Sequence, residues 1–423
     1  MNYNGVVIFL LFLNLLTYKK YKNWFNPSSL MLSLWTLILI LYESSLVEFN
    51  KISDDTYIVI CMGIICFILG TFIANKLIFC FDKINNINKK VIYIPRYGWI
   101  LFLALISILI YLPDAISSIK LLVSGGNFIV LRSKVSETVI NNQIVNAFKN
   151  YIVQPFVIFL YPMSAYCLIT LKENKILKLK KIKKYIFLFS SIIAIMQLFT
   201  SGGRASVVYL LAYIIIISQL LKEKIKASKI LKFIIGLCIL STIIGVYYIS
   251  VSRGIDNVGE SMIIYLCGCV PLLDYYIKEI TITKYYTYGG AFFFGPLNLF
   301  FTLLGNIGFD LPKFMDYLLA QLYVEENVII GPAIKINAFV SWFFYFFKDG
   351  GYMALMIEAI LYGIIIQEVY KNIVQKLNVR KIIIYSIMTN TILFSMVRFQ
   401  FISYHYLLAI GFVFVFVKKK IIK

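Results

Sequence analysis

Residues 56–79 read TYIVICMGIICFILGTFIANKLIF. As a helix this run crosses a hydrocarbon core about 30 Å thick, and Lys76 is its one charged side chain. Its apolar residues do not alternate with polar ones, so it lacks the period of a barrel strand. In lipid every backbone N–H and C=O needs an internal partner, which leaves the α-helix for such a run.

The rest of the chain repeats this pattern. Of 423 residues 61% are hydrophobic and 14% charged, too few charges to cover a soluble domain of this size. The apolar blocks predict spans at 4–17, 28–47, 56–79, 99–114, 151–171, 184–198, 204–221, 230–249, 353–370, 382–396 and 404–417. The expected fold is all-α, a polytopic membrane protein of about eleven transmembrane helices, or as many as about thirteen. Val6 to Leu16 lacks a basic n-region before it and a small-residue cleavage site after it, and reads as a retained first span.

The net charge is +21, and its distribution excludes a nucleic-acid face. Lysines gather beside apolar runs, as in Lys19-Lys20-Tyr21-Lys22, Lys178 to Lys184 and Lys418-Lys419-Lys420. Such clusters hold helix ends at the anionic inner leaflet, so membrane lipids are expected partners. Segments 18–26, 80–96, 172–183, 222–229, 371–381 and 418–423 are assigned to the cytoplasm. Segment 48–55, with Glu48, Asp54 and Asp55, is assigned outside together with 115–150 and 250–352. The N-terminus is then outside and the C-terminus cytoplasmic. Three regions follow: eight helices over 1–249, a large extracytoplasmic loop over 250–352, and three helices over 353–423. Within the loop, 291–304 and 336–347 are apolar enough for interfacial or re-entrant helices, or for two further spans. The seven cysteines read as small core residues, with Cys267 and Cys269 falling in the loop.

Three arginines are expected at the outer rim, where the positive-inside rule does not call for them. They are Arg204 after Gly202-Gly203, Arg253 at the root of the loop, and Arg398 before the last span. Arginine grips phosphate in two places, and Gly202 and Gly203 let a backbone approach a bulky anion. The structural alternative is that each snorkels to headgroups or pairs with an acid. Asp256, Glu260, Asp274 and Asp349 lie on the same side. Glu358 falls within a span, where pairing with an arginine is the expected account and a proton relay the alternative. The single histidine, His405, stands at an outer span end and is a candidate general base. No P-loop, metal-ligand spacing or G-x-S-x-G element occurs, so the expected chemistry is metal- and nucleotide-independent and needs no cofactor.

Against this background three stretches are similar to elements of a known family. Leu198-Phe199-Thr200-Ser201-Gly202-Gly203-Arg204 resembles a Gly-Arg signature that opens a span. Tyr288-Gly289-Gly290 with Gly295-Pro296-Leu297 looks like a recurring loop element. Asn337-Ala338-Phe339 followed by Asp349-Gly350-Gly351 resembles an Asn…Asp-Phe-Gly element, with Gly350 where the Phe would stand. The family is that of the bacterial polysaccharide repeat-unit polymerases (the O-antigen polymerase, or Wzy, family), and the layout with one dominant late outer loop is also similar. Ile215 and Ile264 occupy positions where some members carry the glycine of an Arg-x10-Gly motif.

The resemblance implies a glycosyltransferase of the bacterial inner membrane acting in O-antigen, capsule or lipopolysaccharide assembly. Its substrate would be a polyprenyl-pyrophosphate-linked oligosaccharide, and a chain-length regulator and a flippase would be partners. Arg204, Arg253, Arg398 and His405 would be catalytic. Gly202, Gly203, Asp256, Glu260, Asp349 and Glu358 would bind substrate. A lipid-linked glycan flippase or transporter and an O-antigen ligase are the alternative readings.

Overall fold

The computed structural model describes residues 3–81, 90–124, 143–173, 177–201, 205–221, 258–310, 312–325, 327–332, 334–336, 339–375 and 378–422. These are overwhelmingly helical, with two short two-stranded ribbons. Among them six helices are long and apolar enough to cross a membrane: Asp54–Lys76, Tyr97–Leu121, Ile144–Ile169, Leu177–Thr200, Gly259–Thr283 and Ser341–Lys371. Three shorter apolar helices join them, at Pro27–Glu43, Ala205–Leu220 and Tyr404–Phe416. Apolar helices of this number and length suggest membrane association. The expected span at 230–249 lies outside the described residues.

The chain forms two units, each assembled from distant parts of the sequence. The first contains residues 1–88, 259–376 and 391–407. Its helices are α1 (Tyr3–Tyr21), α2 (Pro27–Glu43) and α3 (Asp54–Phe81) from the N-terminal part. To these the middle of the chain adds α9 (Val258–Cys267), α10 (Cys269–Thr283), α11 (Phe294–Asn306), α12 (Lys313–Gln321) and α13 (Ser341–Gln375). Asn26 caps α2 by accepting the N–H of Ser29, and Pro27 opens the helix where no N–H partner is required.

The axis of this unit is the pairing of α3 with α13. It depends on glycine, because a Cβ on Gly70 would stand 2.2 Å from the Ile360 carbonyl oxygen, and one on Gly363 would stand 2.2 Å from that of Phe67. Small residues let helices approach in an apolar solvent, where contact between backbones rather than a hydrophobic drive holds them. Trp35 of α2 locks onto the same core, its ring against Phe343 and its Nε1–H donating to Ser395 Oγ at 3.0 Å.

Residues 250–352, expected as outer loop with apolar insertions, hold more regular structure than that. The run Gly259–Thr283 is itself long and apolar enough to cross a membrane. Its charges hid it in the sequence, and the structure pairs two of them. Asp274 accepts from Ser53 N–H at 2.7 Å, Ser53 Oγ at 2.6 Å and Thr56 Oγ1 at 2.7 Å, and Lys278 stands 2.6 Å from its other oxygen. Cys267 and Cys269 accordingly sit buried on this helical run as free thiols rather than in a loop.

The second unit contains residues 89–258, 377–390 and 408–423. Its helices are α4 (Tyr97–Val123), α5 (Gln143–Phe148), α6 (Gln154–Ile169), α7 (Leu177–Ser201) and α8 (Ala205–Leu220), with a π-helical turn at Lys149–Val153. Helix α14 (Val379–Leu393) and helix α15 (Tyr404–Phe416) each belong to both units along their length. Strand β1 (Lys90–Pro95) pairs antiparallel with β4 (Val417–Ile422), joining the entry to α4 with the exit from α15. The second ribbon, β2 (Val328–Gly331) with β3 (Ile334–Ile336), belongs to the first unit. There Asn50 N–H donates to the Ile330 carbonyl at 2.7 Å.

A candidate functional site around the broken helix

Helix α13 is interrupted at Asp349-Gly350-Gly351. Gly351 has φ +64° and ψ −144°, a conformation that a side chain disfavours, and the helix resumes beyond it. Non-helical backbone inside an apolar helix frees polar groups that must find other partners. Here they find the turn at 287–293. The Lys348 carbonyl accepts Thr287 N–H at 3.0 Å, and the Asp349 carbonyl accepts Tyr288 N–H at 3.0 Å. The Asp349 carboxylate then accepts Ala291 N–H at 2.8 Å on one oxygen, Phe292 N–H at 2.8 Å on the other, and the Thr287 hydroxyl. The turn needs left-handed backbone at Tyr288 and Gly289, which Gly289 supplies without strain. Directly after it α11 begins.

Two of the quoted sequence elements, Tyr288-Gly289-Gly290 and Asp349-Gly350-Gly351, are therefore one object in space. Gly295 extends it, since a Cβ there would stand 2.1 Å from the Phe401 carbonyl oxygen. The stretch 394–403 lies over this knot. Val340 N–H donates to the Val397 carbonyl at 3.2 Å and Trp342 N–H to that of Ser395 at 2.8 Å, fixing the stretch against the start of α13. Phe399 stacks on Phe292 with centroids 5.5 Å apart, and packs edge-on against Phe346 and Tyr362.

Arg398 rides on this stretch with its side chain exposed. His405 follows at the start of α15, half-buried, with Nδ1 2.6 Å from Ser403 Oγ and its ring beside Tyr404. Asp349 and Glu358 are both buried on α13, close enough for their carboxyl groups to influence each other. Glu358 thus stands near a carboxylate, where the sequence suggested an arginine. Glu260 stands exposed on α9. Gly202, Gly203, Arg204, Arg253 and Asp256 lie outside the described residues, as do Asn337 and Ala338.

Four predicted site residues are thus drawn to one neighbourhood of the first unit: Arg398 and His405 on one stretch, Asp349 and Glu358 beneath it. Arg398 is exposed, and His405 is held in orientation by Ser403. Asp349 is buried under its donors and positions the turn rather than facing a ligand. Thr287 belongs to this arrangement and nothing in the sequence marks it, a lone threonine before Tyr-Gly-Gly. Among the described residues no group of three His, Cys, Asp or Glu stands close enough to hold a metal ion.

The second unit has a polar cluster of its own that sequence reading passed over. Lys149, in the π-helical turn, stands 2.7 Å from Asp114 and over the Tyr111 ring. Gln197 links Tyr111 and Tyr161, at 3.0 and 2.7 Å, one turn before α7 ends at Ser201. No protein-family model, no curated protein and no solved structure matches the chain.

Proposed function

We propose that this protein is a multi-pass enzyme of a bacterial inner membrane that polymerises lipid-linked oligosaccharide repeat units on the extracytoplasmic face. One observation carries the proposal. The separated stretches that resemble polymerase elements, at 288–297 and 349–351, are tied together by the Asp349 carboxylate, and the stretch bearing Arg398 and His405 packs upon them.

The proposed topology has about eleven to thirteen spans, with the N-terminus outside and the C-terminus cytoplasmic. Contacts within each unit support it, because segments assigned to one side touch one another. On the outer side Asn50 meets Ile329 and Ile330. On the inner side Asn75 meets Tyr21 and Lys371, and β1 meets β4.

In the proposed reaction the acceptor is a sugar hydroxyl of the incoming repeat unit. It attacks the anomeric carbon of the growing glycan, whose bond to the polyprenyl pyrophosphate oxygen breaks as the glycosidic bond forms. Arg398 neutralises the departing pyrophosphate; Arg204 and Arg253, proposed for anion binding, lie outside the described residues. His405 takes the hydroxyl proton. The free energy comes from the lipid pyrophosphate, so ATP, nucleotide sugar and metal are not required.

The test is direct. The purified full chain, given polyprenyl-pyrophosphate-linked repeat units in detergent without ATP or divalent metal, should produce a ladder of lengthened lipid-linked glycan. Transfer of finished polymer to a different lipid, or translocation without lengthening, would replace this assignment by a ligase or a flippase.

A further inference from the structure

The β1–β4 ribbon closes the end of the second unit with an unusual surface. Cross-strand partners share a face of a two-stranded ribbon. Ile92 stands opposite Lys420 and Ile94 opposite Lys418, so one face carries two isoleucines and two lysines, all four exposed. The other face carries Tyr93 and is covered in part by Arg380, which lies 5.1 Å over the Tyr93 ring and donates from Nη2 to the Val417 carbonyl at 2.6 Å. The outward face is therefore held in place from behind.

Neighbouring residues extend its charge. Tyr97, two residues past the end of β1, has the buried Lys183 ammonium 5.6 Å from its ring centroid, which brings the first turns of α7 alongside. There Lys180, Lys181 and Lys184 with Leu171 and Leu177 surround an open hollow of about 230 Å³. Neither strand contains an aspartate or glutamate, nor does the stretch 177–184.

We infer that the outward face of the β1–β4 ribbon and the Lys180–Lys184 turn form one binding surface for the headgroups of anionic phospholipids. Two features select this partner over a soluble polyanion. The ribbon sits at the ends of two apolar helices, α4 and α15, and so at the depth of a lipid headgroup layer. Ile92 and Ile94 stand among the lysines, where a soluble phosphate offers them nothing while acyl chains bury them. Lysine suits phosphate as a mobile point charge, without the fixed fork of arginine. The surface would hold a layer of acidic lipid against this end of the second unit, independently of any chemistry elsewhere in the chain.

Native mass spectrometry of the full chain, released from nanodiscs containing equal amounts of phosphatidylglycerol and phosphatidylcholine, tests this. The wild type should retain phosphatidylglycerol in preference. Lys418→Gln with Lys420→Gln should weaken that retention by about fivefold per lysine while leaving phosphatidylcholine unchanged. Lys180→Gln with Lys184→Gln, which leaves the ribbon intact, should act in the same direction. Ile92→Ser with Ile94→Ser should lower retention of both lipids. Equal retention of the two lipids by the wild type would overturn the inference, as would unchanged preference in both lysine variants. Displacement of phosphatidylglycerol by millimolar inorganic phosphate would also overturn it, marking a soluble-anion site instead.

Discussion

Asp349 accepts the backbone N–H of Phe292 at 2.8 Å, joining two positions 57 residues apart in the chain. With the N–H of Ala291 and the hydroxyl of Thr287 it holds three donors, and the buried Glu358 lies nearby. The two carboxyl groups are not equivalent. Asp349 accepts from three donors, whereas the buried Glu358 Oε2 has no hydrogen-bond partner among the described residues.

That asymmetry predicts how the pair responds to amide substitution. Glu358→Gln removes no hydrogen bond from the turn and should cost less than about 1 kcal/mol. Asp349→Asn turns an amide N–H₂ toward donors already present, and should cost about 2–3 kcal/mol; Asp349→Ala, which takes the acceptor from the Ala291 and Phe292 N–H groups, should cost more. Thermal unfolding in detergent measures this series. Equal losses for Glu358→Gln and Asp349→Asn would show that the turn does not depend on the Asp349 carboxylate.

A second prediction concerns the crossing of α3 and α13. An alanine Cβ at Gly70 or Gly363 meets a carbonyl oxygen at 2.2 Å, and backbone cannot give way as a side-chain tip can. Each Gly→Ala change should cost roughly 1–3 kcal/mol through forced separation of the helices. Ile360 and Gly363 share one turn of α13, as Phe67 and Gly70 share one turn of α3. The double variant should therefore fall short of the sum, since the first separation relieves the second. Gly98→Ala is the control: nothing stands within 4 Å of its added Cβ, so it should be neutral or stabilising by up to about 1 kcal/mol. Thermal unfolding of all four variants decides the matter, and additive losses would refute a shared crossing.

Long apolar runs made most helices readable, because lipid solvation depends on composition over about 20 residues rather than on a partner elsewhere in the chain. Three kinds of feature were not readable in that way. Gly259–Thr283 escaped notice because Asp274 looks like a loop residue until Ser53 and Thr56 are brought to it. The expected span at 99–114 continues through Asp114 as α4 to Val123, since Lys149 pairs with the carboxylate that seemed to end it. The break at Asp349-Gly350-Gly351 was visible as glycine, yet its purpose lay in the turn at 287–293. Glu358 was legible as a buried acid, and its neighbour was not, because only the fold reveals which charge stands near it.

The last prediction bears on the chemistry. Arg398 is exposed on a stretch fixed by backbone bonds from Val340 and Trp342, so its side chain contributes little to that stretch's placement. Arg398→Ala should leave thermal stability within about 0.5 kcal/mol of wild type. If the guanidinium neutralises a leaving pyrophosphate, the same change should lower the rate of glycan lengthening on the order of 10²-fold. Lysine keeps the charge but lacks the planar fork, so Arg398→Lys should recover only a minor part of that loss. A merely electrostatic contribution at the membrane surface would instead be restored by lysine and would fade with added salt. Measuring lengthening rates for the three proteins at low and high salt separates the two cases. Wild-type rates in Arg398→Ala would remove Arg398 from the reaction.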